Sequence, residues 1–176
     1  IGFLFVANMT GVGGGTVRDL LLDAPVFWVQ DATHIVLCSA AAVLTYAAAS
    51  LLDRASRALL WADAIGVALF AVLGAQKALL TGVGAGVAVV MGIFTACFGG
   101  IIRDVTLNEP PIIMSREIYI TATLAGALCY VLLAELRGAG DVLAMIGGTA
   151  VGFAVRALAI VAELSLPSHR GLGRGG

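Results

Sequence analysis

The strongest constraint on this chain is its series of long, continuously apolar segments, which short charged loops separate. Each segment approaches or exceeds the roughly 20 residues that a helix needs to cross a hydrocarbon core. Helices are preferred to barrel strands because the segments are long and continuously apolar and do not alternate between apolar and polar positions. The sequence therefore predicts an all-α membrane protein with visible spans at about residues 1–22, 31–52, 61–80, 84–105, 116–134 and 142–163.

The chain contains an internal repeat with an offset of 85 residues. Over the sixteen positions from Thr10 to Pro25, seven residues are identical to those 85 positions later. The motif therefore occurs twice, as GGTVRDLLLDAP and as GGIIRDVTLNEP. Seven identities in so short a window are hard to reach by chance, which indicates that the chain is built from two related halves.

The second copy of the motif follows a full apolar helix, ADAIGVALFAVLGAQKALL, which has no counterpart ahead of Ile1. Because the chain also begins without a methionine, we expect one helix to be missing at the N-terminus. The fold would then consist of two three-helix repeats and a seventh helix, and an odd number of spans per repeat inverts one repeat relative to the other. The predicted organisation is a single transmembrane domain over residues 1–176, with repeat 1 at 1–60, repeat 2 at 61–140, the last helix at 141–165 and a flexible basic tail at 166–176.

The positive charges in the short loops predict the orientation of this multi-pass protein. One side of the membrane would carry most of them, at Arg54, Arg57, Arg116, Arg170 and Arg174, and the other side would carry Lys77 and Arg137. We therefore expect a cytoplasmic C-terminus and an N-terminus outside. The net charge of −1 and the lack of a large basic cluster give no indication of nucleic-acid binding.

The duplicated motif has two interpretations. In the first, the glycines only let neighbouring helices pack closely, and Arg18 snorkels to lipid headgroups. In the second, adjacent glycines favour a kinked or opened turn that lines a watery path with charge. Arg103 and Asp104 are expected roughly 7 to 10 Å inside the helix end, where charge normally faces a cavity. Because residues i and i+1 point apart on a helix, each arginine and aspartate should find its partner elsewhere.

The second interpretation is favoured because the motif combines glycines and charge and is repeated. It assigns a pore or gate to Gly13, Gly14, Gly15, Arg18, Asp19, Gly99, Gly100, Arg103 and Asp104. Lys77, Thr10 and Thr95 are additional candidates for the lining of the pore, although a lysine at a span end also snorkels to the interface.

Few other residues suggest chemistry. Arg156 lies inside the last span, where we expect it to form a structural pair. The three cysteines lie in apolar spans without metal-site spacing, which predicts reduced thiols. Motifs of hydrolases, metalloproteases and nucleotide-binding enzymes are absent from the sequence. We therefore expect neither an enzyme nor a protein with a cofactor.

The stretches GGGTVRDLLLDAPVFW and GGIIRDVTLNEPPIIMSREIYITATLAGALCYVLL resemble the prokaryotic trimeric intracellular cation (TRIC) channels, a bacterial inner-membrane family also labelled as glycine transporters. The resemblance covers essentially the whole chain, apart from the family's first helix. It implies a seven-helix protomer whose second and fifth helices, here residues 1–22 and 84–105, are kinked at glycines. It also implies a homotrimer in the bacterial inner membrane, with a pore for monovalent cations, chiefly potassium, inside each protomer.

The leading hypothesis is a potassium-permeable channel. In it, the glycine breaks shape a constriction, Asp19 and Asp104 offset the arginines, and Arg18 or Arg103 acts as a latch. The alternative is a secondary carrier for glycine or another small amino acid, because broken inverted repeats are equally typical of carriers and an arginine can hold a carboxylate. A structural protein without transport is a third possibility, against which the buried charge argues. Potassium would be the permeant ion, and membrane lipid a partner and a bound molecule.

Overall fold

The structure, a computed structural model, describes residues 1–48, 56–108, 117–138 and 140–162. Throughout these ranges the regular secondary structure is helical, and the predicted all-α class is confirmed. The helices are α1 (Gly2–Leu21), the single turn α2 (Phe27–Gln30), α3 (Thr33–Ala47), α4 (Ser56–Leu80), α5 (Ala85–Thr106), α6 (Glu117–Arg137) and α7 (Val142–Val161). The predicted tail at 166–176 and the arginines Arg54, Arg116, Arg170 and Arg174 lie outside the described residues.

The six long helices correspond to the six predicted spans. Four of them contain segments that are long and apolar enough to cross a membrane: Leu60–Leu80, Ala85–Thr106, Tyr119–Arg137 and Val142–Val161. Helix α3 is a shorter apolar helix of 15 residues, where the sequence predicted a span of 31–52. The one-turn helix α2 was not predicted from the sequence.

Helices α1 and α5 cross where the two copies of the motif meet. A Cβ atom added to Gly14 would overlap the backbone carbonyl oxygen of Thr95, and one added to Gly99 would overlap that of Thr10. Thr10 and Thr95 are equivalent in the repeat, as are Gly14 and Gly99, so the contact is the same in both directions. The two helices therefore run antiparallel, as an inverted repeat requires, and are in backbone contact at their glycines.

The two motif helices also end in the same way. Leu22 N–H donates to Arg18 O at 3.0 Å, and the equivalent Leu107 N–H donates to Arg103 O at 2.9 Å. The next residues, Asp23 and Asn108, have φ of 50° and 56°, a left-handed conformation that Asp and Asn tolerate better than most residues. The repeated sequence thus produces a repeated helix terminus, which supports the predicted duplication.

Turns that contain glycine join α4 to α5 and α6 to α7. The turn between α4 and α5 contains Gly82 with φ of 85°, and the turn between α6 and α7 contains Gly138 with φ of 96°. Both values lie in the left-handed region, which glycine adopts without steric cost. Helix α5 packs against α1, α4 and α6, and α7 covers α4 and α6, so the core lies around α4 and α5.

Helix α7 begins at a side-chain cap formed by Asp141. Its Oδ1 accepts hydrogen bonds from the Ala144 N–H and from the Arg137 Nε, both at 2.9 Å. The Arg137 hydrogen bond, followed by that from the Ala144 N–H, holds the pKa of Asp141 below its ordinary value. The ionised carboxylate therefore stabilises the first turn of α7.

We expect Asp141→Ala to lower the melting temperature by a few degrees, and Asp141→Asn to lower it less because asparagine is also a good cap. A carboxyl whose pKa is lower in the folded state adds stability at pH above its unfolded pKa, and this stability is lost as the pH falls through the folded pKa. The difference between wild type and Asp141→Ala in thermal unfolding should therefore shrink on acidification below about pH 4. A difference that is constant with pH would contradict an ionic cap.

Candidate functional site

A cavity of about 1090 Å³ lies between α1, α4 and α5 and is completed by residues of α6 and α7. Helix α4 lines it from Leu60 to Leu80 with residues at helical spacing, among them Asp63, Val67, Phe70, Leu73 and Lys77. Twenty residues of helix correspond to roughly 30 Å, which is about the thickness of a hydrocarbon core. The cavity therefore extends along the whole predicted span of α4.

The middle of the cavity is mostly apolar. Val67, Phe70 and Leu73 of α4 line it together with Thr10, Gly11, Thr95, Gly99 and Gly100 of the two crossing helices. The Oγ1 of Thr10 donates to Val6 O at 2.8 Å, and that of Thr95 donates to Met91 O at 2.7 Å. Each hydroxyl therefore donates its hydrogen to a carbonyl of its own helix. The two hydroxyl oxygens can accept hydrogen bonds near the centre of the cavity.

Three charged side chains, Arg18, Asp19 and Lys77, form a cluster at one end of the cavity, here called the Asp19 cluster. Arg18 Nη2 lies 2.6 Å from Asp19 Oδ1, and Lys77 Nζ lies 3.0 Å from Asp19 Oδ2. The Phe27 N–H donates to the same Oδ2 at 2.9 Å. The Asp19 side chain is 0% exposed and that of Arg18 is 7% exposed. A single buried carboxylate therefore joins α1, α2 and α4.

This cluster corrects the expectation that each arginine and aspartate would need a partner elsewhere. Arg18 contacts its neighbour Asp19, and Arg103 Nη2 likewise lies 2.8 Å from Asp104 Oδ1. The Cα–Cβ bonds of neighbours do diverge, but the long arginine stem carries the guanidinium back to the adjacent carboxylate. Lys77 is also accounted for, because it contacts Asp19 and is only partly exposed.

Helix α2 closes over the Asp19 cluster. The Phe27 ring lies beside Gly15, where an added Cβ would be 2.5 Å from the Phe27 Cε1, and the Arg18 guanidinium lies 5.9 Å from the ring centroid. Trp28 Nε1 donates to Thr16 Oγ1 at 2.8 Å. The segment DAPVFWVQD predicted only a loop because one turn is too short to produce periodicity, although Pro25 shortly before Phe27 is a common feature of a helix start.

Four charged residues and Tyr119 lie together at the opposite end of the cavity and form the Arg156 cluster: Asp63, Arg103, Asp104, Tyr119 and Arg156. Arg156 Nη2 lies 3.7 Å from Asp63 Oδ2, and its guanidinium lies 5.2 Å from the Tyr119 ring centroid. The Arg156 side chain is 5% exposed, whereas that of Asp63 is 46% exposed. The predicted structural pairing of Arg156 is thus a loose ion pair with one half-exposed partner.

The charged pairs lie closer to the helix ends than predicted. Helix α1 ends at Leu21 and α5 at Thr106, so Asp19 and Asp104 are each two residues from the terminus, roughly 3 Å along the axis. The predicted depth of roughly 7 to 10 Å was wrong, because the left-handed residues Asp23 and Asn108 end the helices before the prolines. Both carboxylates are nevertheless buried by neighbouring helices.

The structure brings most of the predicted pore residues to one cavity. The lining includes Gly15, Arg18, Gly99, Gly100, Arg103, Asp104, Thr10, Thr95 and Lys77. Three predicted residues do not line it: Gly13 and Gly14 face α5, and Asp19 is enclosed by its three donors. The Asp19 carboxylate, which was predicted to offset the arginines, contacts Arg18 and does not face the cavity. Asp63, Tyr119 and Arg156 were not assigned to the pore from the sequence, because they come from helices outside the duplicated motif.

The helical assignment continues through Gly13–Gly15 and Gly99–Gly100 without an unwound turn. The expected opening of the backbone at these glycines is therefore not present. Gly14 and Gly99 instead allow close packing of the two helices, which agrees with the simpler of the two interpretations. The kink of the two helix axes stays a prediction.

The chain is similar to a known protein family and to bacterial membrane proteins. Residues 1–50 and 60–135 match the family described as "Glycine transporter". A UPF0126 membrane protein of Vibrio cholerae is 37% identical over 173 residues, which cover 95% of this chain and 70% of that protein. The UPF0126 inner membrane protein YadS of Escherichia coli K12 is 37% identical over 172 residues, which cover 95% of this chain and 82% of that protein.

Solved structures are similar over nearly the whole chain. The TRIC trimeric intracellular cation channel orthologue from Rhodobacter sphaeroides superposes with a TM-score of 0.81 at 42% identity, covering 92% of this chain and 93% of that one. A TRIC cation channel structure that concerns the basis of conductance superposes with a TM-score of 0.84 at 25% identity, and the match covers 98% of each chain. The helical arrangement of this chain is therefore that of the TRIC channels.

Proposed function

Because this chain belongs to the glycine-transporter family and to the TRIC channel fold, we propose that it is a potassium-permeable cation channel whose pathway is the cavity inside each protomer. The observation that carries the proposal is the lining by α4, which continues for roughly 30 Å between two charged clusters. A pathway in this position would let a cation cross the apolar core within one chain. The relatives of known structure are cation channels, which supports the same class of function.

The Asp19 cluster would serve as the gate of this pathway. Arg18 and Lys77 line the cavity, whereas the carboxylate that they share is buried behind them. A cation at this end would meet two positive groups before it met a negative one, and such repulsion is strong where water is scarce. The latch predicted for Arg18 therefore has a structural basis in its contact with Asp19.

We expect Lys77→Gln to raise potassium flux by on the order of tenfold, since removal of one positive charge near the path lowers the barrier by roughly 1 to 2 kcal/mol. The substitution also removes one of the donors that hold Asp19. The measurement is potassium efflux from proteoliposomes under a fixed gradient, with protein content matched by quantitative gel.

The matched control is Arg137→Gln, which removes a positive charge outside the cavity. Its flux should stay at the wild-type value. An equal increase in both variants would mean that the effect is one of overall surface charge, and no increase in Lys77→Gln would remove the gating role of the Asp19 cluster.

The description of the family favours a second candidate function, a secondary carrier for glycine or another small amino acid. The two functions differ in one assay. Saturable glycine uptake that unlabelled glycine competes away would identify a carrier, whereas cation flux that follows the potassium gradient without saturation by glycine would identify a channel. We further propose a homotrimer in the bacterial inner membrane with a cytoplasmic C-terminus, in line with the named trimeric and inner-membrane relatives.

A further inference from the structure

His34, in the first turn of α3, contacts the helix that covers the Asp19 cluster. The histidine is exposed and lines the cavity, as Arg18 and Phe27 do. Its ring is T-shaped to the ring of Phe27, with 4.8 Å between the centroids and 90° between the planes. The Arg18 guanidinium lies 5.9 Å from the centroid of the same Phe27 ring. A change of charge on His34 would therefore take place next to the proposed gate.

The hydrogen bond of His34 shows which ring nitrogen can take up a proton. Nδ1 lies 3.1 Å from the backbone carbonyl oxygen of Asp31, the residue that follows α2. A carbonyl oxygen only accepts, so Nδ1 is the donor and carries the hydrogen of the neutral ring. Nε2 is then the nitrogen that binds a proton on acidification. Histidine is the side chain that ordinarily changes its charge between about pH 5 and 8.

Helix α2 is held at both of its ends. At its start, the Phe27 N–H and the Trp28 Nε1 donate hydrogen bonds to side chains of α1. At its end, the carbonyl of Asp31 accepts the hydrogen bond from His34. A proton on Nε2 leaves this bond in place and strengthens it, because the donor is then charged. Acidification should therefore hold α2 more firmly over the Asp19 cluster.

The charges that face His34 determine how a proton acts on cations. The elements around it supply the following charged residues: Arg18 and Asp19 of α1, Asp23 of the connection to α2, Asp31 after α2 and, across the cavity, Lys77 of α4. Arg18 and Lys77 line the cavity, whereas Asp19 does not. Asp23 and Asp31 are exposed, where water screens their charge. A protonated His34 would thus be a third positive group at this end of the cavity.

We propose that His34 makes the gate at the Asp19 cluster sensitive to pH. A proton on Nε2 adds positive charge to this end of the cavity, holds α2 closed and reduces the flux of cations. The inference names a regulation of the proposed channel, and its effect on flux rests on that function. The closing of α2 does not require flux, so it is measured separately.

The first measurement is potassium efflux from proteoliposomes, with the same pH on both sides of the membrane and a fixed potassium gradient. Between about pH 8 and 5.5, the flux of the wild type should fall by about three- to tenfold, because one positive charge is added beside the path. In His34→Gln the flux should vary by less than about twofold over the same range. The matched control is His169→Gln, which removes the chain's only other histidine and should retain the pH dependence of the wild type.

The second measurement follows α2 through the fluorescence of Trp28. The only other tryptophan is Trp61, so in a Trp61→Phe background the emission of the purified full chain in lipid nanodiscs comes from α2 alone. Quenching by acrylamide, which is neutral, should decrease on acidification with a single transition between about pH 5 and 8, because α2 is then held more firmly. His34→Gln should abolish this transition, and His169→Gln should retain it.

Three results would overturn the proposal: a wild-type flux that does not change over this pH range, a Trp28 quenching that does not change with pH, or a pH dependence that His34→Gln retains. If the wild type shows no potassium flux at any pH, the channel proposal itself fails. The Trp28 titration then decides alone whether His34 controls the position of α2.

Discussion

Gly99→Ala is expected to destabilise the protein, whereas Gly100→Ala, one residue further along the same helix, is expected to be tolerated. A Cβ at position 99 would overlap the carbonyl oxygen of Thr10, which is backbone and cannot move aside by rotation. A Cβ at position 100 would have no atom within 4 Å. Overpacking of this kind costs about 1 to 3 kcal/mol. Alanine also has a higher helix propensity than glycine, but this gain is about equal at positions 99 and 100 and therefore cancels when the two variants are compared.

The difference in thermal stability between Gly99→Ala and Gly100→Ala therefore reports on the contact between α1 and α5. Thermal unfolding in one detergent should give a lower midpoint for Gly99→Ala than for Gly100→Ala, and Gly14→Ala should resemble Gly99→Ala because Gly14 meets Thr95 O in the same way. The double variant Gly14→Ala/Gly99→Ala should lose less than the sum of the two, since one separation of the helices relieves both overlaps. Equal midpoints for positions 99 and 100 would contradict the backbone contact.

Much of the fold follows from the sequence because lipid permits few structures. Continuous apolar segments of about 20 residues can only be helices there, so the class and the number of long helices are determined by length and composition. The offset of 85 residues pairs Thr10 with Thr95 and Gly14 with Gly99, and in the structure each threonine contacts the glycine of the other copy. The repeat therefore identified the residues that meet, although the crossing of α1 and α5 itself was not predicted from the sequence.

The candidate site was less predictable because its charged side chains have partners that are far away in the sequence. The Asp19 carboxylate accepts a hydrogen bond from Lys77, which lies 58 positions later in the chain, and no local sequence pattern reveals such a pairing. Arg156 and Asp63 belong to helices outside the repeated motif and carry no spacing signal. The contact between Arg18 and Asp19 was not expected, because residues i and i+1 point apart on a helix. The arginine side chain is long enough to reach the adjacent carboxylate in spite of this divergence.

A bulky residue at position 100 should block the proposed pathway without unfolding the protein. Gly100 lines the cavity at the crossing, and the space around its missing side chain is open for 4 Å. A phenylalanine there would project into the apolar middle of the cavity. We expect Gly100→Phe to reduce potassium flux by at least about tenfold, because dehydration at an apolar constriction adds more than about 1.4 kcal/mol to the barrier.

The same substitution on the same helix provides the control. Gly86 lies in the first turn of α5, is exposed, has no atom within 4 Å of an added Cβ and does not line the cavity. Gly86→Phe should therefore retain wild-type flux, and both variants should retain the wild-type melting temperature. Equal thermal stability is needed for the comparison, since a misfolded channel would also lose flux.

The central claim, that cations cross the membrane through the cavity between α1, α4 and α5, is tested most directly by potassium efflux from proteoliposomes containing Gly100→Phe or Gly86→Phe at equal protein content. A channel along this cavity predicts efflux that is lost in Gly100→Phe and unchanged in Gly86→Phe. Efflux at the wild-type rate in a stably folded Gly100→Phe protein would contradict the claim and place the pathway outside this cavity.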